Sequence, residues 1–541
     1  MALTGIDLAI LGVYAVALVA IAYFVSREKA GHSKDTEDYF LAGRSLPWWS
    51  IGASLIAANI SAEQIIGQSG QGYAVGLAIA AYEWQAAIVL LIVAKFFLPI
   101  FLERGVYTMP QFLDQRYGGG VKTLMSVYWI VLYTAVNLTT VLWLGGLAVT
   151  SLTGLPVFAA MACLAGFAAL YSLYGGLKAV ALTDIIQVVI LIVGGAAITW
   201  IALDLVGGDA GAAGGLARLG RELPGHFSMI LAPDHPSYGD LPGVWTLLGG
   251  LWVLHFSYWG FNQYIIQRAL AAESLPEAQK GLAFAAALKL FIPLIVVIPG
   301  IAAVMLVQDG VLGAATLDPA ACAVPGDTST CGRADRTYGE LMTLAPPGLR
   351  GLVFAALVAA VVSSLASMMN SISTIFTMDV YRAAVPDRPQ THYVGVGRIT
   401  AFVAMAAALV LAQPFIGGFE SGFQTVQEYT GFIAPGVVAI FLMGFFWSRA
   451  TTLGAYGALL GSVGFSVAFK LAAPDLPFVI RIWFVFLACL AMGGALSFAS
   501  RQRDGNLPVA LGGIEFGTRA AFNLAAAFVT LALIAIYVVY W

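Results

Sequence analysis

The chain has 541 residues, of which 60% are hydrophobic and only 10% charged, with a mean hydropathy of +0.87 and a formal net charge of −3. A soluble globular protein carries about 25% charged residues, so a soluble organisation is excluded, and the small charge without a basic run excludes nucleic acid as a partner. Sixty glycines suit helices packed closely in lipid.

Taken from the N-terminus, apolar runs of about 20 residues, the length of a bilayer crossing, occupy 5–26, 48–70, 75–103, 122–149, 157–174, 179–205, 244–265, 280–307, 348–380, 395–413, 421–446, 453–471, 477–499 and 519–540. They predict an all-α polytopic membrane protein of about 14 transmembrane helices, one membrane domain over 1–541 with no sizeable soluble domain between the spans. The first run does not read as a cleavable signal, because no Lys or Arg precedes it and Arg27 and Lys29 follow it directly. With the N-terminus outside, seventeen Lys and Arg residues, Arg268 among them, fall on the cytoplasmic side and seven on the outer side. That positive-inside bias places the protein in the cell (inner) membrane with both termini on the outer side.

In the second run, "SLIAANISAEQIIG" (54–67) sets Asn59, Ser61, Glu63 and Gln64 between two apolar ends. A polar group left unpaired in hydrocarbon costs several kcal/mol. Broken helices are tolerated at that depth where they line a cavity, and the carbonyls freed at half-helix ends make ion sites. A second interruption, "HFSYWGFNQY" (255–264), begins about 200 residues later. If spans two to six (48–205) and seven to eleven (244–446) are two five-helix units, these segments open each unit. That is the pattern of an inverted-repeat transporter core, flanked here by 1–47 and 447–541. The alternative is that the polar groups only join neighbouring helices.

Further polar residues lie within apolar runs: Glu83 in "AYEWQ", Asp184 in "ALTDIIQ" and Lys289 in "AALKLFIP". Ionisable residues at such depth are functional candidates, although Glu83 and Lys289 also suit a structural ion pair. Lys95, near a span end, reads as a snorkelling side chain. Gln427 and Glu428 in "TVQEYTG" start another interrupted helix. In "AAVVSSLASMMNS" (359–371), the adjacent hydroxyls of Ser363 and Ser364 could join carbonyls freed near Ala57 and Ile60 in a neutral, all-oxygen cage for a hard monovalent cation. Tight packing of small residues is the other reading of that segment. Cys163 and Cys489 lie in spans and read as small buried hydrophobes. Cys322 and Cys331 share the loop 308–347, where an oxidising exterior would allow a disulfide staple.

At this point the chain resembles a known family. "DYFLAGRSLPWWSIGASLIAANISAEQIIGQSGQGYAVGLAIAAYEWQ" (38–85), "YSLYGGLKAVALTDIIQ" (171–187), "YWGFNQYIIQRALAA" (258–272), "VVSSLASMMNS" (361–371) and "VQEYTGFIAPG" (426–436) are similar to segments of the sodium/solute symporter family, and within it of the sodium/glucose branch and the bacterial sodium/galactose symporters. The likeness runs from the first span to at least residue 450. It implies a five-plus-five inverted-repeat (LeuT-like) core with a broken first helix in each repeat, and a transporter rather than an enzyme. By matching motif it puts sodium ligands on the carbonyls of Ala57, Ile60 and Ala360 and the hydroxyls of Ser363 and Ser364. Sugar-contacting positions fall on Gln64, Glu83, Lys289 and Gln427, with His255 at a further pocket position. Tyr258 becomes the inner aromatic covering the sugar, held by Asn59, and Tyr82 with Phe423 the outer lid. Asp184 matches an acid on the ion's route to the cytoplasm.

Three positions depart from the galactose-transporter pattern, which would have Asn at 255, Ser at 86 and Met at 68; here stand His255, Ala86 and Gln68. Family members that couple two sodium ions add hydroxyls where this chain has Ala58 and Ala366, which implies one sodium per solute. A hexose presents several hydroxyls and an apolar CH face, matched by amides, carboxylates and a Tyr ring. The expected function is thus sodium-coupled symport of galactose or glucose, with sugar, sodium and the lipid bilayer as partners and no obligate protein partner. An amino acid, myo-inositol or sialic acid is the alternative solute, since Glu83 and Lys289 could hold fixed charges. A passive channel or sensor is the rival of another class.

Overall fold

The computed structural model describes residues 3–26, 36–61, 63–313, 317, 333–416, 422–500 and 513–541. Among these residues all regular structure is helical apart from a single β-bridge between Leu46 and Ala272. Helix α1 (Gly5–Ser26) precedes the first broken span, made of α2 (Trp48–Asn59), a π-helical turn at Glu63–Gly67 and α3 (Gln68–Ala74). Helices α4 (Ala81–Ile92), α5 (Thr139–Thr153) and α6 (Val157–Gly207) follow. The second broken span comprises α7 (Leu251–His255), a π-helical turn at Phe256–Phe261 and α8 (Gln263–Leu270). After it come α9 (Leu275–Lys289), α10 (Ile292–Gln308), α11 (Leu349–Ile375), α12 (Gln390–Ile416), α13 (Gly422–Thr430) and α14 (Ala434–Phe446). Helices α15 (Thr452–Ala472), α16 (Phe478–Ala499) and α17 (Ala520–Val539) close the chain.

The breaks have local causes. At the end of α2, Ile60 leaves the helical region (ψ 86°), and the Ser61 N–H donates to the Asn59 carbonyl at 2.9 Å instead of to Ala57. The side chains of the interruption then satisfy the exposed backbone. Gln64 Oε1 accepts from the Ser61 N–H (3.1 Å) and hydroxyl (2.8 Å), and Ser61 Oγ accepts from the Glu63 N–H (3.1 Å). In the second broken span Asn262 is extended, and its Oδ1 caps α8 by accepting from the Tyr264 N–H at 3.2 Å. A third break separates α13 from α14, whose axes differ by 47°.

Around these breaks the helices pack closely. Helix α11, rich in Ala, Ser and Val, is buried along nearly its whole length and runs against α6, α2 and α8. Helix α3 lies on α10 at a glycine contact: a Cβ on Gly300 would stand 2.1 Å from the Ser69 carbonyl, and one on Gly72 would stand 2.6 Å from Val297 O. Such approach is what small residues allow where lipid supplies no hydrophobic drive between helices.

Several expectations change. The spans predicted at 157–174 and 179–205 both fall in the helical stretch α6 and run along α11 in opposite senses: Leu164 meets Val361 beside Gly145 and Ser172 Oγ donates to the Ala366 carbonyl, whereas Ser363 Oγ donates to Asp184 and Gly194 packs on Ala356 and Val353, so they remain two passes. Nine helices among the described residues are long and apolar enough to cross a membrane, ten with the bent α13–α14 pair, so the count of fourteen stays an expectation. The polar breaks divide spans into halves too short to qualify alone. Arg268, assigned above to the cytoplasmic side, is fully buried against Asp184. Cys163 is exposed on α6 and not a buried hydrophobe, whereas Cys489 is buried. The possible Cys322–Cys331 disulfide lies outside the described residues. Lys95 is exposed, with Nζ 5.5 Å from the Phe96 ring centre, as snorkelling requires.

Candidate functional site

The three breaks meet around one cavity. Its wall takes Asn59, Glu63, Gln64 and Gln68 from the first broken span, Tyr82 and Glu83 from α4, His255, Tyr258, Trp259 and Asn262 from the second, Lys289 from α9, and Phe423, Gln427 and Thr430 from α13. Every sugar-contacting and gate position expected from the sequence is therefore on this wall. Of the departures, Gln68 and His255 line it and Ala86 does not. Free space is about 50 Å³, enough for a few waters on the measure where one needs about 10–15 Å³, so a larger solute requires the walls to draw back.

Charge in the wall is largely neutralised internally. Lys289 Nζ donates to Glu83 Oε2 and to Asn59 Oδ1, and stands 4.8 Å from the Trp259 ring centre. Both ions are at most 2% exposed, a depth at which pairing is obligatory. Gln68 Nε2 donates to the other carboxylate oxygen of Glu83 at 2.8 Å. This partner was not foreseen, although the Met-to-Gln departure marked the position. Glu63 adds a second acid, with Oε1 unpaired among the described residues.

Two aromatic groups border the cavity. On one side the Tyr82 and Phe423 rings meet edge to face, 5.1 Å apart at 83°. Gly67 permits this, because a Cβ there would stand 2.7 Å from Phe423 Cβ. On the other side Tyr258 is fixed by its hydroxyl, which accepts from Asn59 Nδ2 at 3.2 Å and from the Tyr264 hydroxyl at 2.8 Å.

Beside the break in α2, Ser364 of α11 faces the end of that helix and Ser363 turns to Asp184. Ser364 Oγ donates to the Ala58 carbonyl at 3.0 Å, which sets α11 directly against the end of α2, where Ala57 and Ile60 lie. Ser363 Oγ donates to Asp184 Oδ1 at 2.5 Å. Ala360 lies one turn earlier on α11 and is buried. Among the described residues no cluster of three or more His, Cys, Asp or Glu side chains could hold a metal. Asp184 has Arg268 as its ion-pair partner (3.2 Å) and Ser54 as a hydrogen-bond donor (2.5 Å). Arg268 was missed because its run, "YIIQRALAA", reads as the end of a span.

Broken helices around a buried polar cavity in an apolar helix bundle are the arrangement of a secondary transporter. The chain matches the sodium:solute symporter family over residues 39–463, and it belongs to that family. It is a multi-pass membrane transporter that couples a solute to sodium, and not an enzyme. It is 47% identical over 541 residues to a sodium/glucose cotransporter of Vibrio parahaemolyticus, covering 100% of this chain and 99% of that one. It is 35% identical over 494 residues to sodium/glucose cotransporter 4 of Danio rerio (87% and 73% covered) and 33% identical over 501 residues to the human sodium/myo-inositol cotransporter (87% and 68%). Its fold is similar to a sodium-coupled sialic acid symporter solved in a substrate-bound outward-open state, with TM-score 0.76, 20% identity, 92% of this chain and 98% of that one. A nucleobase-cation-symport-1 transporter in a closed conformation shares the fold at TM-score 0.52 and 13% identity, with 92% and 99% covered.

Proposed function

We propose that the solute is a hexose, galactose or glucose, carried into the cell with one sodium ion by alternating access. The observation that carries this reading is a set of polar atoms around the cavity with no partner among the described residues: Glu63 Oε1, Gln68 Oε1, Tyr82 Oη, Asn137 Oδ1 and His255 Nε2. Unpaired buried polar groups are expensive, and a solute with several hydroxyls satisfies them from every side. The mutual neutralisation of Glu83 and Lys289 suits a neutral solute better than a zwitterion, which would have to separate that pair. The Tyr258 ring supplies the surface for the apolar CH face. The sodium/glucose relatives support the same reading.

Sodium sits on the carbonyls of Ala57, Ile60 and Ala360 and the hydroxyls of Ser363 and Ser364, tying α11 to the break in α2. Asn59 lies in that break and holds both Tyr258 and Lys289, so ordering the break by sodium also sets the inner barrier and the sugar wall. Loss of sodium releases α11 from α2, loosens Asn59 and lets Tyr258 swing aside. Asp184, hydrogen-bonded to Ser363, receives the ion on its way out. Tyr82 and Phe423 form the outer lid. The repeats are 48–205 and 244–446, with 1–47 and 447–541 flanking, in the inner membrane with both termini outside. A membrane potential of about 100 mV contributes roughly 2.3 kcal/mol per charge and a tenfold gradient about 1.4 more, together an accumulation on the order of several hundredfold.

The test is competition against labelled galactose uptake in proteoliposomes by hexoses, polyols and amino acids. Displacement by galactose and glucose is expected. Displacement by an amino acid and by no sugar would overturn the assignment.

A further inference from the structure

Glu63 stands apart from the other charges of the cavity wall. It is 7% exposed, its N–H is held by Ser61 Oγ at 3.1 Å, and the π-helical turn Glu63–Gly67 carries its side chain to the cavity. Its Oε1 has no partner among the described residues. Glu83, the other acid of the wall, has both carboxylate oxygens engaged, Oε2 by Lys289 and Oε1 by Gln68 Nε2 at 2.8 Å. Among the described residues Lys289 is the wall's single Lys or Arg, and Glu83 holds it. Two carboxylates against one ammonium leave the wall with one negative charge in excess. A buried charge is costly unless a partner of opposite sign reaches it.

We propose that the carrier also accepts hexosamines, hexoses in which one hydroxyl is replaced by a protonated amine, and that Glu63 is the residue that recognises the ammonium group. The inference rests on the hexose reading of the cavity. An ammonium group donates hydrogen bonds and accepts none, which suits a free carboxylate oxygen, and the bond between them is charged at both ends. A hexosamine brings a cation without an anion, so it leaves the Glu83–Lys289 pair closed, as a zwitterion would not. Gln68 Oε1, Tyr82 Oη, Asn137 Oδ1 and His255 Nε2 remain for the hydroxyls of the same ring.

The experiment is sodium-driven uptake in proteoliposomes at neutral pH with the membrane potential clamped. Labelled galactose is challenged with 2-amino-2-deoxygalactose and 6-amino-6-deoxygalactose, and with 2-deoxygalactose and 6-deoxygalactose as uncharged controls. At least one amino sugar is expected to compete and, when labelled itself, to be taken up with sodium. Glu63→Gln keeps the shape of the side chain and removes its charge. It should weaken that amino sugar relative to galactose by about tenfold or more, the scale of one hydrogen bond to a charged group, and leave the controls unmoved relative to galactose. If Glu63→Gln does not stay monodisperse, Glu63→Ala serves the same arm. Galactose uptake that neither amino sugar inhibits in large excess would overturn the proposal and leave the hexose reading standing. An equal effect of the variant on amino sugar and galactose would also overturn it, since the ammonium would then have another partner. Absence of both galactose and amino-sugar uptake would overturn the two readings together.

Discussion

Asn59 donates Nδ2 to the Tyr258 hydroxyl at 3.2 Å, joining two residues 199 positions apart, and its Oδ1 accepts from Lys289. The residue that ends the first half-helix therefore holds both Tyr258 and the charged wall of the cavity. Tyr258→Phe deletes the hydroxyl and both of its hydrogen bonds but keeps the ring. A lost hydrogen bond is worth about 0.5–1.5 kcal/mol, so half-maximal sugar uptake should shift by about twofold to tenfold. Tyr258→Ala also removes the ring and should be clearly worse. Equal kinetic constants for the two variants would show that the ring does not cover the solute.

Ser364 faces the break of α2 through the Ala58 carbonyl. If Ser364 is a ligand of the proposed sodium site, Ser364→Ala should raise the sodium concentration for half-maximal uptake at least tenfold, about 1.4 kcal/mol, while sugar still binds at saturating sodium. Asp184→Asn, one step removed, should slow turnover more than it weakens sodium affinity. Sodium titrations of uptake rate separate the two, and the reverse ranking would move the ion to Asp184.

The Glu83–Lys289 pair is buried on both sides. Lys289→Met strands a buried carboxylate, at a cost of about 3–5 kcal/mol, and should lower the unfolding temperature sharply. Glu83→Gln with Lys289→Met removes both charges and should recover most of that stability without recovering transport. Thermal unfolding and uptake on the same preparations check this. Recovery of uptake along with stability would make the pair purely structural.

His255 reaches the cavity with Nε2 unpaired among the described residues, and its ring centre lies 6.3 Å from that of Tyr82. His255→Asn changes the reach and geometry of a wall group while leaving the sodium cage untouched. Relative preference among hexoses should shift by about tenfold, the scale of one or two contacts in a pocket, with unchanged sodium dependence. Identical competition profiles would remove His255 from the site.

The polar interruptions were legible because hydrocarbon makes Asn59, Glu63, Gln64 and the 255–264 segment conspicuous. All of them line or brace the cavity, as do the gate residues carried over by motif. Gln68 and Arg268 were harder to see. A Gln beside a glycine-rich turn has no polarity contrast with its neighbours, and Arg268 sits where a positive residue ordinarily marks a cytoplasmic end. Only the approach of α2, α6 and α11 shows that its partner is Asp184.

The central claim is that a single sodium on Ala57, Ile60, Ala360, Ser363 and Ser364 is coupled to one sugar. Its most direct test is the coupling ratio in proteoliposomes, read from the reversal potential or from paired sodium and galactose fluxes. One sodium per sugar is expected, with uptake lost when choline replaces sodium. A ratio near two, or equal uptake in choline, would contradict the claim.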